Sequence, residues 1–175
     1  MLVFHENTGP SSLRNISVLR FDDRKAELFL GTRFNEGGGS FSPDGRWLAY
    51  VSDESGRNEI FVQPYPGPGG KWQVSTEGGT EPLWNRNGRE LFYRSGNTMM
   101  TVETTTEPRF AVGTPRRLFE GEYVAIEFPQ LADYDVSADG QRFLMVKEID
   151  RTPSTAQINV VLNWFQELQR LVPTR

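Results

Sequence analysis

His5 is the only histidine of the 175-residue chain, so the chain can contain only one catalytic or metal site that needs an imidazole. Glu6 follows it directly. Because an imidazole beside carboxylates suits zinc or manganese, the pair is a candidate divalent-metal site. A bound ion that activates water would make the protein a metal-assisted hydrolase of esters or phosphoesters. No H-E-x-x-H, G-x-S-x-G or S-x-x-K motif accompanies the pair, and the alternative is that both are ordinary strand residues.

Asp133 and Asp135 form a second candidate catalytic pair. They flank Tyr134 at strand spacing, so their side chains share one face. If Asp133 begins an innermost strand, that face borders a central channel. Like charges held close together raise one pKa, which is what a general acid needs. The alternative is that both are solvated surface carboxylates.

The elements that must position these residues are indicated by an internal repeat. An Asp/Asn-Gly turn followed by an apolar run occurs in FSPDGRWLAYVS, WNRNGRELFYRS and VSADGQRFLMVK, which places Gly45, Gly88 and Gly140 in register at spacings of 43 and 52 residues. Propeller blades have periods of about 40 to 50 residues. The recurring Asp or Asn before each glycine could suggest a ring of ligands, but turn chemistry explains it as well.

Each apolar run predicts a strand that is covered on both faces, and the intervening turns predict four antiparallel strands per unit. We therefore expect an all-β fold, a partial β-propeller of about three and a half blades in a single domain over 1–175. Residues 34–39 are expected to be a crossover, and a short helix should close the chain. The predicted boundaries are an incomplete blade at 1–36, blades at 37–78 and 79–122, an incomplete blade at 130–163, and the helix at 163–172.

Composition limits the partners. The net charge is -4 and the basic residues are scattered, so nucleic acid is not expected as a partner. The N-terminal MLVFHENTG has no basic region and only a short apolar run, so we expect neither a signal peptide nor membrane insertion. Cysteine is absent, so the redox compartment cannot be read from the sequence and localisation stays open.

The segment FSPDGRWLAYVSDESGRNEIFVQPYPGPGGKWQVSTEGGTEPLW resembles the WD-like repeats of TolB-type propellers, particularly those at the C-terminal end of bacterial serine/threonine kinase-like sensor proteins. YDVSADGQRFLMV and INVVLNW are similar to the end of those propellers. The resemblance implies a surface that binds proteins or ligands, often outside the cytoplasmic membrane. The chain has no Gly-rich nucleotide loop, H-R-D or D-F-G motif of a kinase.

The chain supplies roughly half of the ring that TolB-type proteins usually form. Open strand edges and apolar blade faces would remain at its two ends, and a two-fold homodimer would cover both. An open monomer with a rearranged terminus is the alternative. We expect a non-catalytic recognition module that binds a protein or small ligand at the ring mouth or channel, with no cofactor. The metal-assisted hydrolase, with His5, Glu6 and channel carboxylates as its site, is the alternative function.

Overall fold

The computed structural model describes residues 1–8, 13–107, 109–124 and 132–147. These residues form fourteen β-strands and no helix, and all strand pairs are antiparallel. The fold is therefore all-β, and its consecutive small sheets are those of a partial propeller. The helix predicted at 163–172 and much of the incomplete blade predicted at 130–163 lie outside the described residues.

Four sheets follow one another along the chain, and we number them blades 1 to 4. Blade 1 contains β1 (Leu2–Thr8), β2 (Leu13–Leu19) and β3 (Ala26–Leu30). Blade 2 contains β4 (Glu36–Phe41), β5 (Trp47–Ser52), β6 (Glu59–Pro64) and β7 (Trp72–Gln73). Blade 3 contains β8 (Thr80–Trp84), β9 (Glu90–Ser95), β10 (Thr98–Thr105), β11 (Ala111–Val112) and β12 (Arg116–Glu120). Blade 4 contains β13 (Tyr134–Val136) and β14 (Phe143–Met145).

The repeated hairpin is the same in blades 2, 3 and 4. Gly45, Gly88 and Gly140 have φ angles of 71°, 68° and 73°, in the left-handed region that glycine adopts at little cost. Each donates its N–H to the carbonyl three residues earlier, at 2.8, 2.9 and 2.8 Å. The carboxylates of Asp44 and Asp139 each accept an N–H from the residue two positions later, both at 3.1 Å. These aspartates are turn residues, as turn chemistry predicted.

The core lies between neighbouring blades. Side chains alternate along β5, so Leu48 and Tyr50 pack against blade 1 while Ala49 and Val51 pack against blade 3. All four are buried. Two-sided burial explains why the strand reads as one continuous apolar run.

The innermost strands of blades 2 and 3 share a bulge. Gly38 and Glu81 each lie seven residues before their hairpin glycine, and their φ angles are 62° and 58°. The strand register shifts around both residues. Glu81 is not a glycine, so its left-handed backbone costs roughly 1–2 kcal/mol.

Candidate functional site

The innermost strands β4, β8 and β13 surround a hollow of about 340 Å³ at the end where each strand enters its hairpin. We call this hollow the channel mouth. Its lining comes from blades 2, 3 and 4 and includes Phe41, Leu83, Arg86, Asp135, Val136 and Ser137.

Hydrogen bonds between blades fix the walls of the channel mouth. The indole Nε1 of Trp84 donates to the carbonyl of Ser40 at 3.1 Å and joins blade 3 to blade 2. The hydroxyl of Tyr134 donates to the carbonyl of Glu81 at 2.9 Å and joins blade 4 to blade 3. Because Tyr134 and Trp84 are both buried, the three strands hold a defined spacing.

The channel mouth combines apolar walls with two opposite charges. Phe41, Leu83 and Val136 supply the apolar surface, and Arg86 and Asp135 are exposed at the rim. No salt bridge joins either charge to another residue of the described ranges. A guanidinium donates to anionic or carbonyl groups and a carboxylate accepts from amines, so the rim can bind both kinds of ligand group.

The predicted metal pair lies on β1 of blade 1, away from the channel mouth. His5 is half-buried; burial lowers the pKa of its imidazole, and the positive charge of Arg14 lowers it further. Glu6 is exposed and accepts a hydrogen bond from the hydroxyl of Ser17. Within the described part of the chain, no three His, Asp or Glu side chains come close enough to hold a metal ion. The metal site and the hydrolase stay predictions.

The two candidate catalytic aspartates have different surroundings. Asp135 lies on β13, the innermost strand of blade 4, and lines the channel mouth, whereas Asp133 precedes this strand and is not part of the lining. Its Oδ1 also accepts the N–H of Val136 at 2.8 Å. The N–H of Asp133 donates to Oε2 of Glu81 at 3.1 Å. A catalytic role for either aspartate stays a prediction.

A buried ion pair that no sequence pattern predicted lies near the channel mouth. Glu81 and Arg94 are 1% and 3% exposed, and Oε1 of Glu81 lies 3.4 Å from Nη1 of Arg94. Arg94 also donates to the carbonyl of Val124 at 3.0 Å. Burial raises the pKa of the Glu81 carboxyl, although the N–H of Asp133 and the charge of Arg94 oppose the rise. The sequence offered one signal of an unusual residue: Glu81 occupies the repeat position that is a glycine, Gly38, in blade 2.

No helix among the described residues is both long and apolar enough to cross a membrane. No protein-family model matches the chain, and no curated protein matches it. Among solved structures, a putative TolB from Agrobacterium tumefaciens superposes with a TM-score of 0.52 at 15% sequence identity, over 67% of this chain and 45% of that one. At this identity the likeness shows the fold alone, which is a TolB-like β-propeller.

Two further propeller structures are similar at lower TM-scores. TolB from Acinetobacter baumannii gives 0.48 at 14% identity, over 85% of this chain and 47% of that one. The β-propeller domain of the Trilobed protease from Pyrococcus furiosus gives 0.40 at 12% identity, over 82% of this chain and 66% of that one. This chain therefore spans less than half the length of either TolB structure. The kinase-like sensor context stays a prediction.

Proposed function

We propose that this chain is a non-catalytic propeller module that recognises a protein or small ligand at the channel mouth. The observation that carries the proposal is the hollow of about 340 Å³ with walls from three blades. Ligand sites in proteins are concave, largely apolar and equipped with a few placed polar groups, with volumes from about 300 Å³ upward.

The contacts define what the ligand must offer. Phe41, Leu83 and Val136 suit an apolar side chain or ring, and Arg86 and Asp135 suit a charged or hydrogen-bonding group at each side of it. The blade-to-blade hydrogen bonds of Trp84 and Tyr134 hold these walls before a ligand arrives, which lowers the entropy cost of binding.

An NMR titration of ¹⁵N-labelled protein with a fragment library and a set of tripeptides tests this site. We expect the shift changes of at least one binder to cluster at Ser40, Leu83 and Ser137. Arg86→Ala should weaken that binder roughly tenfold, because a hydrogen bond to a charged group contributes about 1.5 kcal/mol. Arg117→Ala, on the outer strand β12, is the matched control and should leave binding unchanged. Shifts that cluster elsewhere, or equal effects of the two variants, would refute the proposal.

We also propose that the module self-associates through the outward faces of blades 1 and 4. Leu28 and Phe21 of blade 1 are 61% and 63% exposed, and Leu144 of blade 4 is 74% exposed. Apolar side chains grouped at both ends of a stack of sheets are typical of an interaction surface.

Sedimentation velocity over a wide concentration range tests self-association. We expect a dimer that Leu28→Asp and Leu144→Asp each convert to monomer with an unchanged circular dichroism spectrum. The control is Thr105→Asp, which introduces the same charge at an exposed site away from both ends. A wild-type protein that stays monomeric throughout would contradict the proposal.

A further inference from the structure

A second concave surface lies between blades 2 and 3, on the side of the hairpins. It consists of two hollows of about 720 and 650 Å³ that share Thr106 and Glu107 in their linings. We call the two together the inter-blade groove. Pro43 lines both the groove and the channel mouth and separates them.

The walls of the inter-blade groove are tied to one another. Thr104 donates its N–H to the carbonyl of Arg89 at 2.8 Å and its hydroxyl to the carbonyl of Gly88 at 3.2 Å, which attaches the end of β10 to the hairpin of blade 3. Arg46 bridges the hairpin of blade 2 to the loop after β10, with its guanidinium 2.9 Å from Asp44 and 2.6 Å from Glu107. The groove is thus built by contacts between two blades.

The first hollow of the groove is acidic. Four carboxylates line it together with the guanidinium of Arg89: Asp44, Glu90, Glu103 and Glu107. Arg46 forms salt bridges with Asp44 and Glu107, and Arg116 forms one with Glu90 at 3.5 Å. Glu103 is exposed, and no salt bridge joins it to another residue of the described ranges. The described carboxylates do not converge in the way a metal site requires. Their spread along the groove suits several cationic groups at intervals better than one ion.

The second hollow of the groove has aromatic walls. Trp47, Pro64 and Tyr65 line it, together with Arg46, whose guanidinium is paired with Asp44 and Glu107. The ring of Trp47 packs 4.7 Å from that of Phe110, and the ring of Tyr65 lies 5.0 Å from that of Phe41, measured between centroids. Rings held in place this way can accept the alkyl stem and cationic head of a lysine or arginine.

We propose that the inter-blade groove binds an extended, basic peptide segment of a partner protein, with Lys or Arg side chains along the carboxylates and at the Trp47–Tyr65 end. Charge complementarity selects this occupant, since the two hollows together carry four carboxylates against two guanidiniums, Arg46 and Arg89, and no salt bridge joins Glu103 to another described residue. The overall net charge of -4 adds long-range attraction for a basic segment.

Fluorescence anisotropy with two labelled peptides tests the proposal. The peptides share a Gly/Ser background, and alternate positions carry Arg in one and Glu in the other. We expect the Arg peptide to bind and the Glu peptide not to bind. Glu103→Lys should weaken binding about fivefold or more, because it replaces an attraction worth up to about 1 kcal/mol by a repulsion. Glu27→Lys makes the same charge change on the exposed outer strand β3 and should alter binding less than about twofold.

Two further variants make the test decisive. Thr106→Lys places a cation where the two hollows meet, so it should also weaken the Arg peptide, with an unchanged near-ultraviolet circular dichroism spectrum. Arg86→Ala alters the channel mouth and should leave this binding intact. The proposal is overturned if the two peptides bind alike, if Glu27→Lys costs as much as Glu103→Lys, if both groove variants bind normally, or if Arg86→Ala abolishes binding.

Discussion

Replacement of Arg94 by Met tests whether the buried Glu81–Arg94 pair holds blade 4 against blade 3. The substitution removes the ion pair at 3.4 Å and the hydrogen bond to the carbonyl of Val124 at 3.0 Å. It leaves the Glu81 carboxylate, 1% exposed, with the hydrogen bond from the N–H of Asp133 at 3.1 Å. Loss of one partner of a buried pair costs about 3–5 kcal/mol. Because burial already raises the pKa of Glu81, protonation relieves part of this cost, and we expect about 3 kcal/mol at pH 7.

The loss should depend on pH with a defined sign. Without Arg94 the pKa of Glu81 rises further, so the folded variant holds its proton where the unfolded chain has released it. The difference in unfolding free energy between wild type and Arg94→Met should therefore shrink as the pH falls from 7 toward 4.5, the ordinary pKa of a glutamate.

Urea unfolding at several pH values measures both the loss and its pH dependence. Arg117→Met breaks an exposed salt bridge to Glu120 and is the control; it should cost less than about 0.5 kcal/mol. The double variant Glu81→Gln with Arg94→Met should lose less than the sum of the two single variants. A loss below about 1 kcal/mol for Arg94→Met at pH 7, or a loss that does not change with pH, would refute this account of the pair.

Three further predictions follow from individual residues. Gly140→Ala should reduce the free energy of unfolding by about 1 kcal/mol more than Gly88→Ala does. Both glycines have positive φ, but only at Gly140 would the new Cβ lie 2.3 Å from Nδ2 of Asn85, and equal losses would contradict this packing. Tyr134→Phe should lose about 1–2 kcal/mol by the same assay, because a buried carbonyl of blade 3 loses its donor; a neutral substitution would contradict this. Burial raises the pKa of the Glu36 carboxyl, so the folded protein keeps a proton there that the unfolded chain releases, and the free energy of unfolding falls as the pH rises above 4.5. Glu36→Gln should flatten this fall when unfolding is measured at several pH values, and an unchanged dependence on pH would exclude this role.

Local chemistry explains why most of the fold could be predicted. The hairpins depend on a glycine with positive φ and an aspartate that bonds the turn, and both are visible in a few residues of sequence. The strand β4 was different, because its three glycines predicted a crossover at 34–39, whereas the structure places 36–41 in the innermost strand. A Cβ on Gly39 would lie 2.4 Å from Cγ2 of Val3, so the glycine allows blade 1 to pack closely against this strand.

The candidate sites were less accessible from sequence, because they depend on which blades become neighbours. The strand period of two is a local rule, so it could place Asp135 on the face opposite to Tyr134, but it could not show that this face lines the channel mouth. The partnership of Glu81 with Arg94 joins two strands of one blade, and the carboxylates of the groove come from two blades, so no short pattern reveals either. The hydroxyl–carboxylate bond of Ser17 to Glu6 is likewise a cross-strand contact.

The hairpins are repeated, but the loops that accompany them are not, and this difference can give the inter-blade groove its selectivity. Blades 2 and 3 present nearly identical turns on one side of the fold, so the turns alone cannot make one groove between neighbouring blades bind a different ligand from the next. Glu103 lies near the end of β10 and Glu107 lies in the loop after it, whereas the corresponding segment of blade 2, 64–68, reads PYPGP and has no carboxylate. A binding surface that combines a repeated turn with a unique loop discriminates through the loop. Replacement of 103–107 by the sequence of 64–68 should therefore change the charge preference of the groove, while the hairpins and the channel mouth beside them keep their structure.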